Sequence, residues 1–328
     1  MKRDPRAAPG HAALAANASG IVRFGTFALE LQTEQSFWAD VMLRRFRAAP
    51  GRHPGVTPNV VVRVRPDWGD PARAGGQDTL RVERTGARVR VLSDVMSMEV
   101  DDAARPRMAD LRVHPRDRDR PYLEHFFAVL IHKLLQLCGV VRLHGAAVEV
   151  AGLTSVFVGG KGSGKSTIAL AAGRAGGRVL ADDHIVIRRG AGGIAVSGCD
   201  GNIRLTEASE RHFFRDPLAG VASDFGGVLK KQVPLAGLVL SIPYVNCAAS
   251  RLYFPFVGDH LAVRPVSRRV AVERILDDIA PTHRFDGPAD QWDLVRLVTD
   301  FVTPLACADL ELSTTLLHIE RLMDVLGS

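Results

Sequence analysis

Hydrophobic and polar positions change their period along this chain, and each change predicts a different element. Asn59-Val60-Val61-Val62-Arg63-Val64 reads as a strand. Thr79 to Arg84 and Arg88 to Leu92 alternate apolar and polar residues around Thr85-Gly86-Ala87, which predicts a hairpin. Phe37 to Phe46 has the spacing of a short amphipathic helix. The period then lengthens. From Tyr122 to Leu137 the residues Phe126, Phe127, Leu130, Ile131, Leu134 and Leu135 share one broad helical face, and Gly139 ends the helix. Short apolar runs follow: Val140 to Leu143, Ala147 to Val150, Val156 to Val158, Arg178 to Ala181 and Ile185 to Ile187, each expected as a strand. A helix is expected from Thr167, and Gly190 to Gly193 carries a hairpin signal. Further on, Leu235 to Ile242 reads as a buried strand stopped by Pro243, and Ala306 to Leu312 as a short strand. Arg269 to Asp278, Gln291 to Phe301 and Thr314 to Leu326 read as helices.

Strands and helices alternate through the distal two thirds, so the fold class is α/β, preceded by a β-rich α+β region. Residues 1–20 read as a tail rich in Ala, Pro and Gly. The N-terminal domain is expected over 21–120 and the second over 121–328, with the charged, Pro-containing stretch His114 to Arg120 at the boundary. At 328 residues there is enough chain for two proper cores. Hydrophobic content of 46% and charged content of 24% are those of ordinary globular chains. The formal net charge of +6 favours anionic partners in general. No basic stripe is interleaved with aromatics, so nucleic acid is not an expected partner. Cys138, Cys199, Cys247 and Cys307 are widely spaced, which indicates neither a disulfide framework nor a zinc site. His53 and His114 lie beside prolines and read as solvated loop residues. The first twenty residues lack an apolar h-region, and no apolar run approaches membrane-spanning length. The expectation is a cytoplasmic protein with no membrane partner.

The candidate chemistry centres on Gly159-Gly160-Lys161-Gly162-Ser163-Gly164-Lys165-Ser166, followed by Thr167. The stretch fits G-x-x-x-x-G-K-[ST] between a strand and a helix. Glycines let the backbone fold tightly so that several N–H groups face an anion, and the helix behind adds its positive end. Lys165 can reach the β- and γ-phosphates, and the Ser166 hydroxyl can hold Mg²⁺. Only six lysines occur in the chain, and two of them, Lys161 and Lys165, lie in this loop. One helix later, Arg178 to Ala181 delivers Asp182-Asp183. Adjacent residues on a strand point opposite ways, but a turn there lets both reach the phosphates. One carboxylate can then fix Mg²⁺ with Ser166 while the other takes a proton from an attacking hydroxyl. His144, in Leu143-His144-Gly145, is expected near the loop's mouth, where an imidazole can donate to a phosphate or tune the acid–base pair.

Leu143-His144-Gly145, Val156 to Ser166 and Leu180-Ala181-Asp182-Asp183 together resemble the catalytic domain of the HPr kinase/phosphorylase family. The resemblance is strong over about forty residues and loose over 122–326. It implies ATP and Mg²⁺ as cofactors, a mixed sheet with helices of HPr-kinase type, Asp182 as general base, Asp183 and Ser166 at the metal, and His144 in the catalytic site. The chain also departs from the bacterial regulator. Gly160-Lys161 stands where the regulator has an acidic or hydroxyl residue, and its Glu-x-Arg-Gly-Leu-Gly segment is missing. Gly201 to Leu205 and Lys230-Lys231 occupy that part of the chain. In this the chain is more similar to the divergent branch that includes kinases tailoring lasso peptides. Lys230 and Lys231, ahead of Arg204 and Arg268, are candidates to neutralise the transferring phosphoryl. The expected activity is transfer of the γ-phosphoryl of ATP to a serine of a peptide or small protein, with the N-terminal domain recognising substrate or building a homo-oligomer. A sugar or amino-acid kinase, a nucleotide-sensing module without transfer and a GTP-driven carboxykinase-like reaction are the alternatives.

Overall fold

The computed structural model describes residues 18–24, 26–35, 37–38, 40–41, 49–50, 56–66, 81–93, 96–104, 106–113, 120–190, 193–199, 201–224, 229–242, 245–283, 288–313 and 319–327. The chain is a mixed α/β protein. Its contacts divide it into two compact units, Met1–Val22 with Ala28–Phe127, and Arg23–Phe27 with Ala128–Ser328.

The first unit holds most of an eight-stranded sheet: β1 (Ala18–Phe24), β2 (Phe27–Thr33), β3 (Ala49–Pro50), β4 (Val60–Pro66), β5 (Arg81–Thr85), β6 (Arg88–Leu92), β7 (Met96–Asp101) and β8 (Arg107–Val113). The strand order is β3-β1-β2-β4-β8-β7-β6-β5. β2, β4 and β8 run parallel, and β5 to β8 form an antiparallel meander. The hairpin at Gly86-Ala87 forms with Thr85 opposite Arg88. Alternation sets its buried face: Val89 and Val91 are buried while Arg88 and Arg90 are exposed. Of the helix expected over Phe37 to Phe46, residues 37, 38, 40 and 41 are helical and the rest lies outside the described residues. His53, His114 and most of the expected tail and boundary also lie outside them, although residues 18–20 belong to β1.

Helix α1 (Arg120–Leu137) buries Phe126, Phe127, Leu130, Ile131, Leu134 and Leu135, the face its 3.6 period requires. The second unit is then built on β9 (Val140–Val150), β10 (Leu153–Val158), β11 (Arg178–Ala181), β12 (His184–Gly190), β13 (Gly193–Gly198), β17 (Cys247–Ala248), β18 (Arg251–Gly258), β19 (Ala262–Pro265) and β20 (Ala306–Ser313). Their order is β17-β13-β12-β9-β10-β18-β20-β19, with β11 also on β9. β10, β18 and β20 are parallel, and the remaining pairings are antiparallel. A smaller sheet joins β14 (Asn202–Leu205), β15 (Val221–Asp224) and β16 (Leu229–Pro234) in the order β14-β16-β15.

Two apolar clusters lie on opposite faces of the large sheet, as the alternation in β10 dictates. Val156 and Val158 enter one cluster, with Ile275 and Ile279 of α4 (Arg268–His283) and Val298 and Phe301 of α5 (Pro288–Val302). Phe157 enters the other, with Ile168 and Leu170 of α2 (Lys165–Arg174), Ile203 and Leu205 of β14, and Leu322 and Leu326 of α6 (Ile319–Gly327). A short helix, α3 (Glu207–Phe213), follows β14 and is capped by Thr206, whose hydroxyl accepts the Ser209 N–H at 3.2 Å.

Two expectations are corrected. Val140 to Val150 is one strand, because Leu143-His144-Gly145 stays paired: His144 lies opposite His184 and Gly145 opposite Val158. A Cβ on Gly145 would sit 2.6 Å from the Phe157 carbonyl oxygen, so this close approach of β9 to β10 admits only glycine. Leu235 to Ile242 is not a strand. The chain coils back, with the Leu238 and Val239 N–H groups both on the Leu235 carbonyl, and only Ser241 bridges to Val179.

Phe157 is fully buried and stacks on Tyr253 with ring centroids 5.6 Å apart. Phe157→Ala is expected to cost about 3–5 kcal/mol. The check is a lower denaturant midpoint at unchanged m-value.

Candidate functional site

The parallel arrangement of β10, β18 and β20 brings the carboxyl ends of these strands to one edge, and the glycine-rich turn leaves β10 there. Gly164 precedes α2 at φ +96°, and a Cβ on it would lie 2.6 Å from Leu312 Cδ1 of β20. The positive φ favours glycine at this position, and a side chain there would have to push Leu312 aside. Helix α2 begins at Lys165, so the first N–H groups of the helix open toward the turn. Lys165 is buried, and its ammonium donates to the Gly159 carbonyl at 2.6 Å, the Gly160 carbonyl at 2.8 Å and Ser163 Oγ at 3.4 Å. Burial pushes its pKa down, against the pull of Asp182, Asp183 and Asp278.

A cleft of about 580 Å³ opens over this turn. Residues 161–167 form one wall, and His144, Asp183, Arg204 and Lys230 reach it from β9, the end of β11, β14 and β16. β11 and β12 both pair β9 on the same side, and Asp182-Asp183 forms the bend between them. Asp183 adopts φ +72°, a left-handed conformation that costs a non-glycine residue about 1 kcal/mol. The Gly145 N–H donates to the Asp183 carbonyl at 3.2 Å and fixes the bend.

The bend sends the two carboxylates into different surroundings. Asp182 is 1% exposed. Its Oδ2 accepts the Ser166 hydroxyl at 3.0 Å and the Arg204 main-chain N–H at 3.0 Å. Its Oδ1 is buried and has no hydrogen-bond partner among the described residues. Burial pushes its pKa up, the two hydrogen bonds oppose that, and the Asp183 charge adds to it. Asp183, with a side chain 14% exposed, faces the cleft. His144 Nε2 lies 3.4 Å from its Oδ1, while His184 Nε2 at 2.9 Å and the Arg204 guanidinium at 2.6 Å reach its Oδ2. Burial alone would raise the pKa of Asp183; the histidine hydrogen bonds and the positive charge of His184 and Arg204 hold it well below the usual carboxylate range.

The resemblance implies Asp183 and Ser166 at the metal; the hydrogen bond that the Ser166 hydroxyl makes is to Asp182. Ser166 meets Asp182, because Asp182 turns inward toward α2 while Asp183 is drawn to the cleft by three basic side chains. Lys161, Gly162, Ser163, Gly164 and Thr167 line the cleft; Gly159 and Gly160 present carbonyls to Lys165. Of the two adjacent lysines only Lys230 lines it. Lys231 donates to Glu210 Oε1 at 2.7 Å and to the Leu218 carbonyl at 3.0 Å, tying α3 to β16. Arg268 opens α4, away from the cleft lining.

Sequence reasoning overlooked His184 and Asp278. His184 follows the two aspartates directly, so the signal was present as Asp-Asp-His. Asp278 accepts the His144 main-chain N–H at 3.3 Å. Among the described residues no group of three or more His, Cys, Asp or Glu is placed to hold a metal by itself. Two oxygen-bearing side chains do meet, Ser166 through its Oγ and Asp182, whose Oδ1 has no hydrogen-bond partner among the described residues. They fit a hard cation such as Mg²⁺, which commonly takes one or two protein ligands and completes its shell with phosphates and water.

No protein-family model and no curated protein sequence matches the chain. Among solved structures, the Hpr(Ser) kinase/phosphatase from Coxiella burnetii is similar at a TM-score of 0.30 and 9% identity, over 56% of this chain and 93% of that one. At that level of likeness nothing about the chemistry of this chain follows from it. No helix among the described residues is long and apolar enough to cross a membrane.

Asp183→Asn removes the anion that His184 and Arg204 share. It is expected to destabilise the fold by about 2–4 kcal/mol at neutral pH, the lower end reflecting partial exposure. Because the folded-state pKa is depressed, this contribution is complete above the unfolded value of about 3.9 and is lost as pH falls below it. Chemical denaturation of both proteins should show a gap that persists at neutral pH and narrows only below about pH 4.

Proposed function

We propose that this protein is an ATP- and Mg²⁺-dependent phosphotransferase that moves the γ-phosphoryl to a hydroxyl, with a serine of a peptide or small protein as acceptor. One observation carries the reading: the Asp182–Asp183 bend sets one carboxylate on the Ser166 hydroxyl behind the glycine-rich turn and the other in the cleft beside His144.

In this reading the turn over 159–166, the open N–H groups at the start of α2 and the Lys165 ammonium hold the phosphates. Lys165 has to exchange the Gly159 and Gly160 carbonyls for phosphate oxygens, whose negative charge offsets the burial of its ammonium. Ser166 and Asp182 are the residues to hold Mg²⁺, which when bound neutralises charge between the β- and γ-phosphates. Asp183 orients the incoming hydroxyl. A transition state of this kind is loose, so the proton leaves late and a carboxylate of low basicity suffices. Arg204 donates to Asp183 from the cleft wall; moving that guanidinium to the phosphoryl removes a donor from Asp183 and raises its proton affinity as transfer proceeds. Lys230 adds positive charge on the same wall. These roles exchange those implied by the resemblance, with Asp183 rather than Asp182 at the acceptor. The reason is access: Asp182 is 1% exposed, and an alcohol cannot approach it without displacing Ser166 or Arg204.

The test is transfer of label from γ-labelled ATP to hydroxyl-bearing peptides and small molecules, read beside nucleotide binding. Asp183→Asn should lower transfer at least about 100-fold while binding is retained. Lys165→Ala should weaken nucleotide binding at least about tenfold. Asp182→Asn should remove the Mg²⁺ dependence of binding. Transfer at the normal rate in Asp183→Asn would overturn the assignment, and intact ATP recovered with no acceptor labelled would favour a nucleotide-sensing module. Label on a sugar or free amino acid alone would change the acceptor class.

A further inference from the structure

Helix α4 carries one residue that does not fit its face. Ala271, Ile275 and Ile279 are buried against the large sheet, the i, i+4, i+8 stripe of an amphipathic helix. Asp278 falls within the same arc, three residues after Ile275. A carboxylate in such a stripe is costly unless a donor meets it. The donor is the main-chain N–H of His144, 3.3 Å from Asp278 Oδ2.

The topology explains why that N–H is open to a side chain. On one side β9 pairs β12 up to His144 and β11 beyond Gly145. On the other side β10 pairs β9 only from Gly145 onward, since β10 ends at Val158, opposite Gly145, and turns into the glycine-rich segment. N–H groups alternate in direction along a strand. The Gly145 N–H points to the β12 side, onto the Asp183 carbonyl, so the His144 N–H points into the slot that β10 vacates. Asp278 fills that slot. His144 is thereby held twice, its main chain by Asp278 and its ring by Asp183. Asp278 does not line the cleft, and its charge acts on Lys165.

We propose that Asp278 is a positioning residue of the phosphoryl-transfer site: it closes the end of the β9–β10 ladder and fixes where His144 presents its ring to Asp183 and the acceptor. The assignment rests on the kinase reading, but the contact itself does not. Asp278→Asn keeps a carbonyl oxygen for the His144 N–H, whereas Asp278→Ala removes it. In Asp278→Ala, kcat should fall about 10- to 100-fold, the scale expected when a reacting group is misplaced by about 1 Å. ATP affinity should stay equal or become tighter, because a negative charge near Lys165 is gone. Asp278→Asn should restore kcat to within about threefold of the parent protein. A general loss of structure would instead lower binding and kcat together, and Asn would not rescue them selectively.

The contact is read independently from the amide resonance of His144, which should move in Asp278→Ala and stay in place in Asp278→Asn. An unmoved amide in Asp278→Ala overturns the proposal whether or not the protein is a kinase. A moved amide with unchanged kcat overturns the positioning role. If the parent protein transfers no phosphoryl at all, the kinase reading fails and takes the catalytic role of Asp278 with it, and a moved amide then supports the contact alone. Should Asp278→Ala not fold, a shifted His144 amide in Asp278→Glu, with reduced kcat and normal ATP binding, supports the proposal, and normal values of all three overturn it.

Discussion

The site depends on one interruption of a β-ladder. β11 and β12 lie along the same side of β9 and would form a single strand but for Asp182 and Asp183. An uninterrupted strand would send these two side chains to opposite faces of the sheet, one into each apolar cluster. The left-handed turn at Asp183 prevents that, and its local cost is met by two main-chain bonds: His184 N–H to the Asp182 carbonyl at 2.9 Å and Gly145 N–H to the Asp183 carbonyl at 3.2 Å. Gly145 serves twice, since its missing side chain also lets β9 approach Phe157 of β10. The interruption is thus anchored in the strand that carries His144 and borders the strand that leads into the glycine-rich turn.

Charge then separates what the backbone has made adjacent. Two neighbouring aspartates are driven in opposite directions: burial raises the pKa of Asp182, while two histidines and an arginine hold Asp183 low. Neighbouring titratable groups whose surroundings push them apart are the usual mark of divided roles. Lys165 belongs to the same balance. Its ammonium is disfavoured by burial, and the anions that support it are Asp182, Asp183 and Asp278. An arriving phosphate would supply negative charge at the point where Lys165 now has two carbonyls and a hydroxyl, so anion binding and the charge on Lys165 reinforce one another.

Much of this was legible in the sequence, and the part that was not has a physical reason. The turn over 159–166 and the acidic pair are local in the chain, so spacing and residue type sufficed. Period also gave α1, α4 and α5, and the strand β20, with ends shifted by a few residues. The length of β9 escaped because Leu143-His144-Gly145 looks like a break when the partners that keep it paired, β12 and β10, are not in view. Leu235 to Ile242 is apolar enough for a strand, yet it has only Val179 to pair with. Asp278 was hidden for the opposite reason. It sits on a helix that was expected from the sequence, and its partner is a main-chain N–H 134 residues away. The different surroundings of Asp182 and Asp183 could not be read either, since Ser166 and the Arg204 main chain meet the one while the Arg204 guanidinium meets the other.

The groups that meet at the cleft come from distant parts of the second unit: His144 from β9, the turn after β10, the bend after β11, Arg204 from β14, Lys230 from β16, with Asp278 behind them on α4. None of these segments can hold its side chain in place by itself. Arg204 reaches Asp183 only because β14 is seated on β16 and its main-chain N–H is spent on Asp182. His144 is fixed only when α4 has docked and β10 has ended where it does. The cleft therefore depends on the completed sheet as much as on the glycine-rich turn, and a site assembled this way has its side chains placed by packing and hydrogen bonds before any ligand arrives.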